Sequence, residues 1–151
     1  MKLAEALILR SDMQKKLARS KERMQNNALI QEGDEAAENV NDLMKDFISI
    51  TNEMSKVIKR INKTNIETEV CNGITIAEMI VDRDMQGKKF SMFNDMASKA
   101  TIESNRWGRN EIKFVSTVNV SDLRKKADAA AQKFREIDTA IQSKNWTTEL
   151  M

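Results

Sequence analysis

Two arginines bracket a tryptophan in Asn105-Arg106-Trp107-Gly108-Arg109, and Lys113 follows in Glu111-Ile112-Lys113. Guanidinium and ammonium groups bind phosphates, and an indole stacks on bases or anchors at a lipid interface. The same residues suit a turn whose tryptophan packs on its own fold and whose arginines pair with acidic neighbours or with another subunit, which is the reading favoured here. Trp146, in Asn145-Trp146-Thr147-Thr148-Glu149-Leu150, is expected to dock the tail of the chain rather than a ligand. Arg106, Trp107, Arg109, Lys113 and Trp146 form the candidate interaction surface.

Catalytic chemistry has few residues to use. The chain has no histidine and no tyrosine, which removes Ser-His and Cys-His dyads, imidazole metal ligands and phenolic acids. Cys71 is the only cysteine, so no intrachain disulfide forms. Its setting, Val70-Cys71-Asn72-Gly73, reads as a connection between helices with no basic partner nearby to activate the thiol. No phosphate-cradling glycine loop or dinucleotide fingerprint occurs. The expectation is a protein that is not an enzyme, with no catalytic residue and no cofactor.

Glu35, Glu38 and Asp42 lie three and four residues apart, a spacing that gathers carboxylates on one helix face where a hard cation could bind. A different partner explains them better. Lys15, Lys16, Arg19, Lys21 and Arg23 precede Glu32, Asp34, Glu35, Glu38 and Asp42, and antiparallel packing of the two segments brings the runs together. Asp82 and Asp84 point to nearly opposite sides of a helix. No metal site is therefore expected.

The elements that must position these groups are helices. Glycine occurs four times and proline never among 151 residues, with 40% apolar and 32% charged. So little punctuation favours long helices in one domain spanning 1–151. Val40, Leu43, Phe47, Ile50, Met54, Val57 and Ile61 step by three and four, as do Val120, Leu123, Ala127, Ala130, Phe134, Ile137 and Ile141 after the capping candidates Asn119 and Ser121. In the first helix Leu3, Ala6 and Leu7 make the beginning the best-buried part. Thr75 and Glu78 spell a capping box, with Ile74 and Met79 as its hydrophobic staple. Gly87 marks a weak point, a kink or a close contact.

These signals place helices at about 2–24, 35–64, 75–103 and 120–143. The alternating, β-branched stretch at 111–118 reads as a strand, with 26–31 as its partner within the chain or between subunits. The expected fold is mainly α: an elongated antiparallel bundle of about four long helices with a short two-stranded β-ribbon. Twenty-five basic residues against twenty-three acidic leave a formal charge of +2, too balanced to require a nucleic acid. No segment reaches the roughly 18 apolar residues of a membrane span, and the opening Met1-Lys2-Leu3 continues as helix rather than a signal peptide. A cytoplasmic protein is expected.

Several stretches, Met1-Lys2-Leu3-Ala4-Glu5-Ala6-Leu7, Asn26-Asn27-Ala28, Arg60-Ile61-Asn62-Lys63-Thr64-Asn65, Glu111-Ile112-Lys113-Phe114-Val115-Ser116-Thr117-Val118 and Asn145-Trp146-Thr147-Thr148-Glu149-Leu150, together resemble the septicolysin-like family of bacterial proteins. The resemblance implies an oligomeric helical protein, with a hexamer as one form, and the family name implies a pore-forming cytolysin. It brings no catalytic residues. Three functions follow in order of preference: a non-enzymatic protein that associates with itself, a membrane-active cytolysin, and an RNA- or DNA-binding helical hairpin resting on Arg106, Trp107, Arg109 and Lys113.

Overall fold

The computed structural model describes residues 1–101, 112 and 114–151. It is mainly α, and the described residues form four long helices and one two-stranded ribbon: α1 (Leu3–Asn27), α2 (Val40–Glu67), β1 (Glu69–Cys71), β2 (Ile74–Thr75), α3 (Ile76–Ala100) and α4 (Val120–Thr147). The chain divides into two compact units, Met1–Glu69 with Ser143–Met151, and Val70–Gln142.

In the first unit α1 and α2 pack together. The N-terminal turn of α1 is its best-buried stretch, with Leu3 and Ala6 wholly inaccessible and Ala4 nearly so. Glu5 secures this start by accepting a hydrogen bond from the main-chain N–H of Lys2 at 2.7 Å. The expected pairing of basic and acidic runs is realised by Arg23, whose guanidinium grips both carboxylate oxygens of Glu38. Asn27 tightens the same corner: its amide donates to the carbonyl of Arg23 at 2.9 Å and its oxygen accepts from the N–H of Glu38 at 3.1 Å.

α2 begins at Val40, later than Glu35, because Asn39 caps it by accepting from the N–H groups of Asn41 and Asp42. Glu35 and Glu38 therefore precede the helix, and the carboxylate trio does not share a helical face. Of the α2 seam, Leu43 and Ile61 are buried while Phe47, Ile50, Met54 and Val57 are only half-buried.

The first unit also gathers both chain ends. Leu3 donates to the carbonyl of Thr148 and Leu150 to that of Met1, both at 2.9 Å, forming an antiparallel bridge between Lys2 and Glu149. Arg60 donates to the main-chain oxygens of Met151 and Leu150 at 2.8 and 3.2 Å, and Met151 donates to the hydroxyl of wholly buried Thr64 at 3.0 Å.

The ribbon is not where the alternating pattern placed it. Asn26 and Asn27 complete α1, and Leu29 and Ile30 are exposed without strand structure. Of 111–118, Glu111 and Lys113 lie outside the described residues; Ile112, Phe114 and Val115 are exposed and not in a strand. The pair is instead the hairpin around Asn72-Gly73, where φ is 50° and 79°. Positive φ at both central residues is the requirement of a two-residue type I′ turn, for which Asn-Gly is the preferred dipeptide. This hairpin leads directly into the capping box: Thr75 donates its N–H to Glu78 at 2.8 Å, and its hydroxyl accepts from the Glu78 N–H at 3.3 Å.

Within the second unit α3 and α4 run antiparallel. Arg83 reaches Asp138, Gly87 faces Phe134, and Lys126 lies over the Phe93 ring. Asn119 opens α4 by accepting from the Asp122 N–H at 3.1 Å. Gly87 is a close contact: a Cβ built there would sit 3.4 Å from the Phe134 ring edge. That distance is ordinary van der Waals contact, so Gly87→Ala is expected to raise stability by about 0.5–1 kcal/mol through lower chain entropy in the unfolded state. Gly87→Leu would push the ring away and lower it. Urea denaturation checks both; a lower midpoint for Gly87→Ala would show that Phe134 tolerates no added methyl.

Candidate functional site

The cationic and aromatic residues singled out from the sequence separate into two groups. Arg106, Trp107, Arg109 and Lys113 lie outside the described residues. Trp146 stands in the last turn of α4 and is 57% exposed. The tail is held instead by the buried side chain of Leu150 and by the main-chain bonds to Met1, Arg60 and Thr64.

Of the carboxylates considered for a cation, Glu38, Asp42 and Asp84 meet basic side chains. Glu38 is engaged by Arg23, and the hydrogen bond from that side chain holds the carboxyl below its ordinary pKa while raising that of the guanidinium. Asp84 and Asp138 share Arg83, at 2.9 and 3.0 Å. Burial works against the Arg83 charge, but the hydrogen bonds it donates to the two carboxylates outweigh that and hold its pKa above the usual value. The same guanidinium stands 6.0 Å from the Phe134 ring centroid, a cation–π contact that fixes the ring against Gly87. Cys71 is exposed on β1.

Several depressions open on these helices, among them one of about 440 Å³ along α4 lined by Lys125, Asp128, Gln132 and Arg135. Between α1 and α2 a groove of about 290 Å³ is lined by Lys16, Arg19, Ser20, Arg23, Leu43, Asp46 and Ile50. Between α3 and α4, Gly87, Phe90, Ala131, Phe134 and Arg135 line an apolar slot of about 230 Å³. Lys89, Lys126 and Lys133 surround Phe93 in a shallower basic hollow of about 180 Å³. The slot exists because Gly87 carries no side chain to fill it.

An exposed apolar strip lies on the other side of α3. Val81, Met85, Met92 and Met96 are 58, 40, 49 and 44% exposed. At 3.6 residues per turn they fall within about 60° of one another and form a strip about 22 Å long. Arg83, Gly87, Phe93 and Ala97 lie about 150° round the helix from it by the same geometry. α3 is thus apolar on two sides, one turned to α4 and the other to solvent. An isolated exposed apolar residue is normal, but a continuous strip on one helix marks an interaction surface, and methionine side chains adapt readily to a partner. The sequence held the signal in the steps Val81, Met85, Met92 and Met96, which a search for a single inward stripe passes over.

Residues 10–150 match the model of a family described as "Family of unknown function (DUF6847)". The fold is shared with the crystal structure of a functionally unknown conserved protein from Corynebacterium diphtheriae: 38% of residues are identical, the TM-score is 0.94, and the match covers 100% of this chain and 99% of that one. Among curated proteins none matches. These findings overturn the resemblance to the septicolysin-like family, since nothing in them points to septicolysin, and the family-based reason for expecting a cytolysin goes with it. Among the described residues, no helix is long and apolar enough to cross a membrane.

Among the described residues three carboxylates have depressed pKa values: Glu38 through Arg23, Glu78 through the main-chain N–H and hydroxyl of Thr75, and Glu149 through Lys2 and the terminal ammonium of Met1. A depressed carboxyl stabilises the fold above its unfolded pKa, and that contribution is lost as pH falls through the folded value. The thermal midpoint is therefore expected to hold near neutrality and to fall below about pH 4.3, the ordinary carboxylate value. Glu149→Gln should flatten that decline. An identical acid profile for wild type and Glu149→Gln would show that the clasp between Lys2 and Glu149 contributes nothing.

Proposed function

The chain belongs to a family of unknown function, DUF6847, and from its own surfaces we propose that it is a non-enzymatic helical protein that works by associating with itself. The observation that carries this reading is the second apolar face of α3, with Val81, Met85, Met92 and Met96 open to solvent. Fully burying one such side chain is worth about 1.5–3 kcal/mol relative to leaving it exposed. The four side chains of each copy are about half exposed, so covering both strips in a pair recovers part of that energy and works against the cost of immobilising two molecules.

Other surfaces add to it. Met44 and Ile48 on α2 are 43 and 60% exposed, so the seam legible at Phe47 and Ile50 is wider than its partner within the unit covers. Ile112, Phe114 and Val115 add a β-prone exposed segment. The chemistry of the sequence supports the non-enzymatic half of the proposal: without histidine or tyrosine, the chain lacks the side chains most often used as general acids and bases near neutral pH.

Sedimentation velocity across a wide micromolar range should report a species heavier than the 17.3 kDa chain. The double substitution Met85→Lys and Met92→Lys should move the population toward monomer with helical circular dichroism retained. A 17.3 kDa species at every concentration would overturn the proposal.

A further inference from the structure

The exposed strip of α3 is arranged symmetrically about its own midpoint. Val81 and Met96 lie equally far from the point between Lys88 and Lys89, as do Met85 and Met92, and as do Glu78 and Lys99. We infer that the occupant of this face is the same face of a second copy, α3 lying antiparallel on α3 across a twofold axis between Lys88 and Lys89; this rests on the self-association proposed above.

The twofold brings Val81 against Met96 of the second copy and Met85 against Met92, twice each, so every apolar side chain of the strip meets another. An interface of this kind is isologous, one patch serving both sides. Charge selects the direction. Antiparallel pairing sets Glu78 opposite Lys99 at both ends of the strip, whereas parallel pairing would set Glu78 against Glu78 and Lys99 against Lys99. Glu78 is exposed, with one carboxylate oxygen engaged by Thr75 and its pKa lowered by those bonds, and Lys99 is exposed in the last turn of α3, so both charges stand at the surface. Lys88 and Lys89 flank the strip near the axis, where their stems can cover apolar surface and their ammonium groups remain in water.

Register and direction are both readable by crosslinking in the full chain with Cys71→Ser, which removes the exposed native thiol. Single variants Val81→Cys, Met96→Cys, Met85→Cys and Met92→Cys are oxidised alone and in mixtures. A disulfide needs Cα atoms within about 7 Å, so V81C mixed with M96C, and M85C mixed with M92C, should crosslink several-fold more than any variant alone. Lys99→Glu, which sets a carboxylate opposite Glu78, should raise the dissociation constant several-fold. If each variant crosslinks best with itself, the antiparallel inference fails. If mixtures do not crosslink while sedimentation still reports an oligomer, this register is wrong and self-association stands. A monomer at all concentrations removes both.

Discussion

The approach of α4 to α3 at Gly87 decides which side of α3 is inside. Gly87 leaves the Phe134 ring lying close against the helix, with room there for no more than a methyl, and Arg83 holds that ring from one side while its two carboxylate partners, Asp84 and Asp138, hold the guanidinium. Once that contact is made, Val81, Met85, Met92 and Met96 cannot also face α4, because they lie on the far side of a rigid helix. The leftover strip is a consequence of the packing, and the proposed function follows from the leftover.

The first unit is organised by a different device. Its seam is short of deeply buried side chains along the middle of α2, and the two chain ends supply closure through main-chain bonds, the Lys2–Glu149 bridge and the hold of Arg60 on the tail. The groups that do this are mostly exposed, apart from the buried Thr64 that accepts from Met151, and each is matched with a partner. Trp146, freed from holding the tail, is left exposed.

Much of the fold was legible in local chemistry. The capping box of Thr75 and Glu78, the cap at Asn119, the buried start of α1 and the pairing of Arg23 with Glu38 all follow from rules acting over a few residues or between adjacent helices. The ribbon was misplaced because β-branched alternation at 111–118 outweighed a shorter signal. Asn72-Gly73 between Val70-Cys71 and Ile74-Thr75 is a hairpin sequence in its own right, and the turn, not the alternation, specifies that pair. The metal reading of Glu35, Glu38 and Asp42 required all three on one helix, and the cap at Asn39 leaves Glu35 and Glu38 before its start.

What the sequence determined by itself, then, is local: where helices begin, which residues punctuate them, and that the chain carries no histidine or tyrosine. Those properties depend on neighbours in the chain, so spacing reveals them. Tertiary structure alone decided which of two apolar sides of α3 is core and which is surface, and that Leu150, not Trp146, is buried in the tail. Periodicity records that a residue is apolar and on which side of a helix it stands; only the placement of the neighbouring helix determines whether anything covers it.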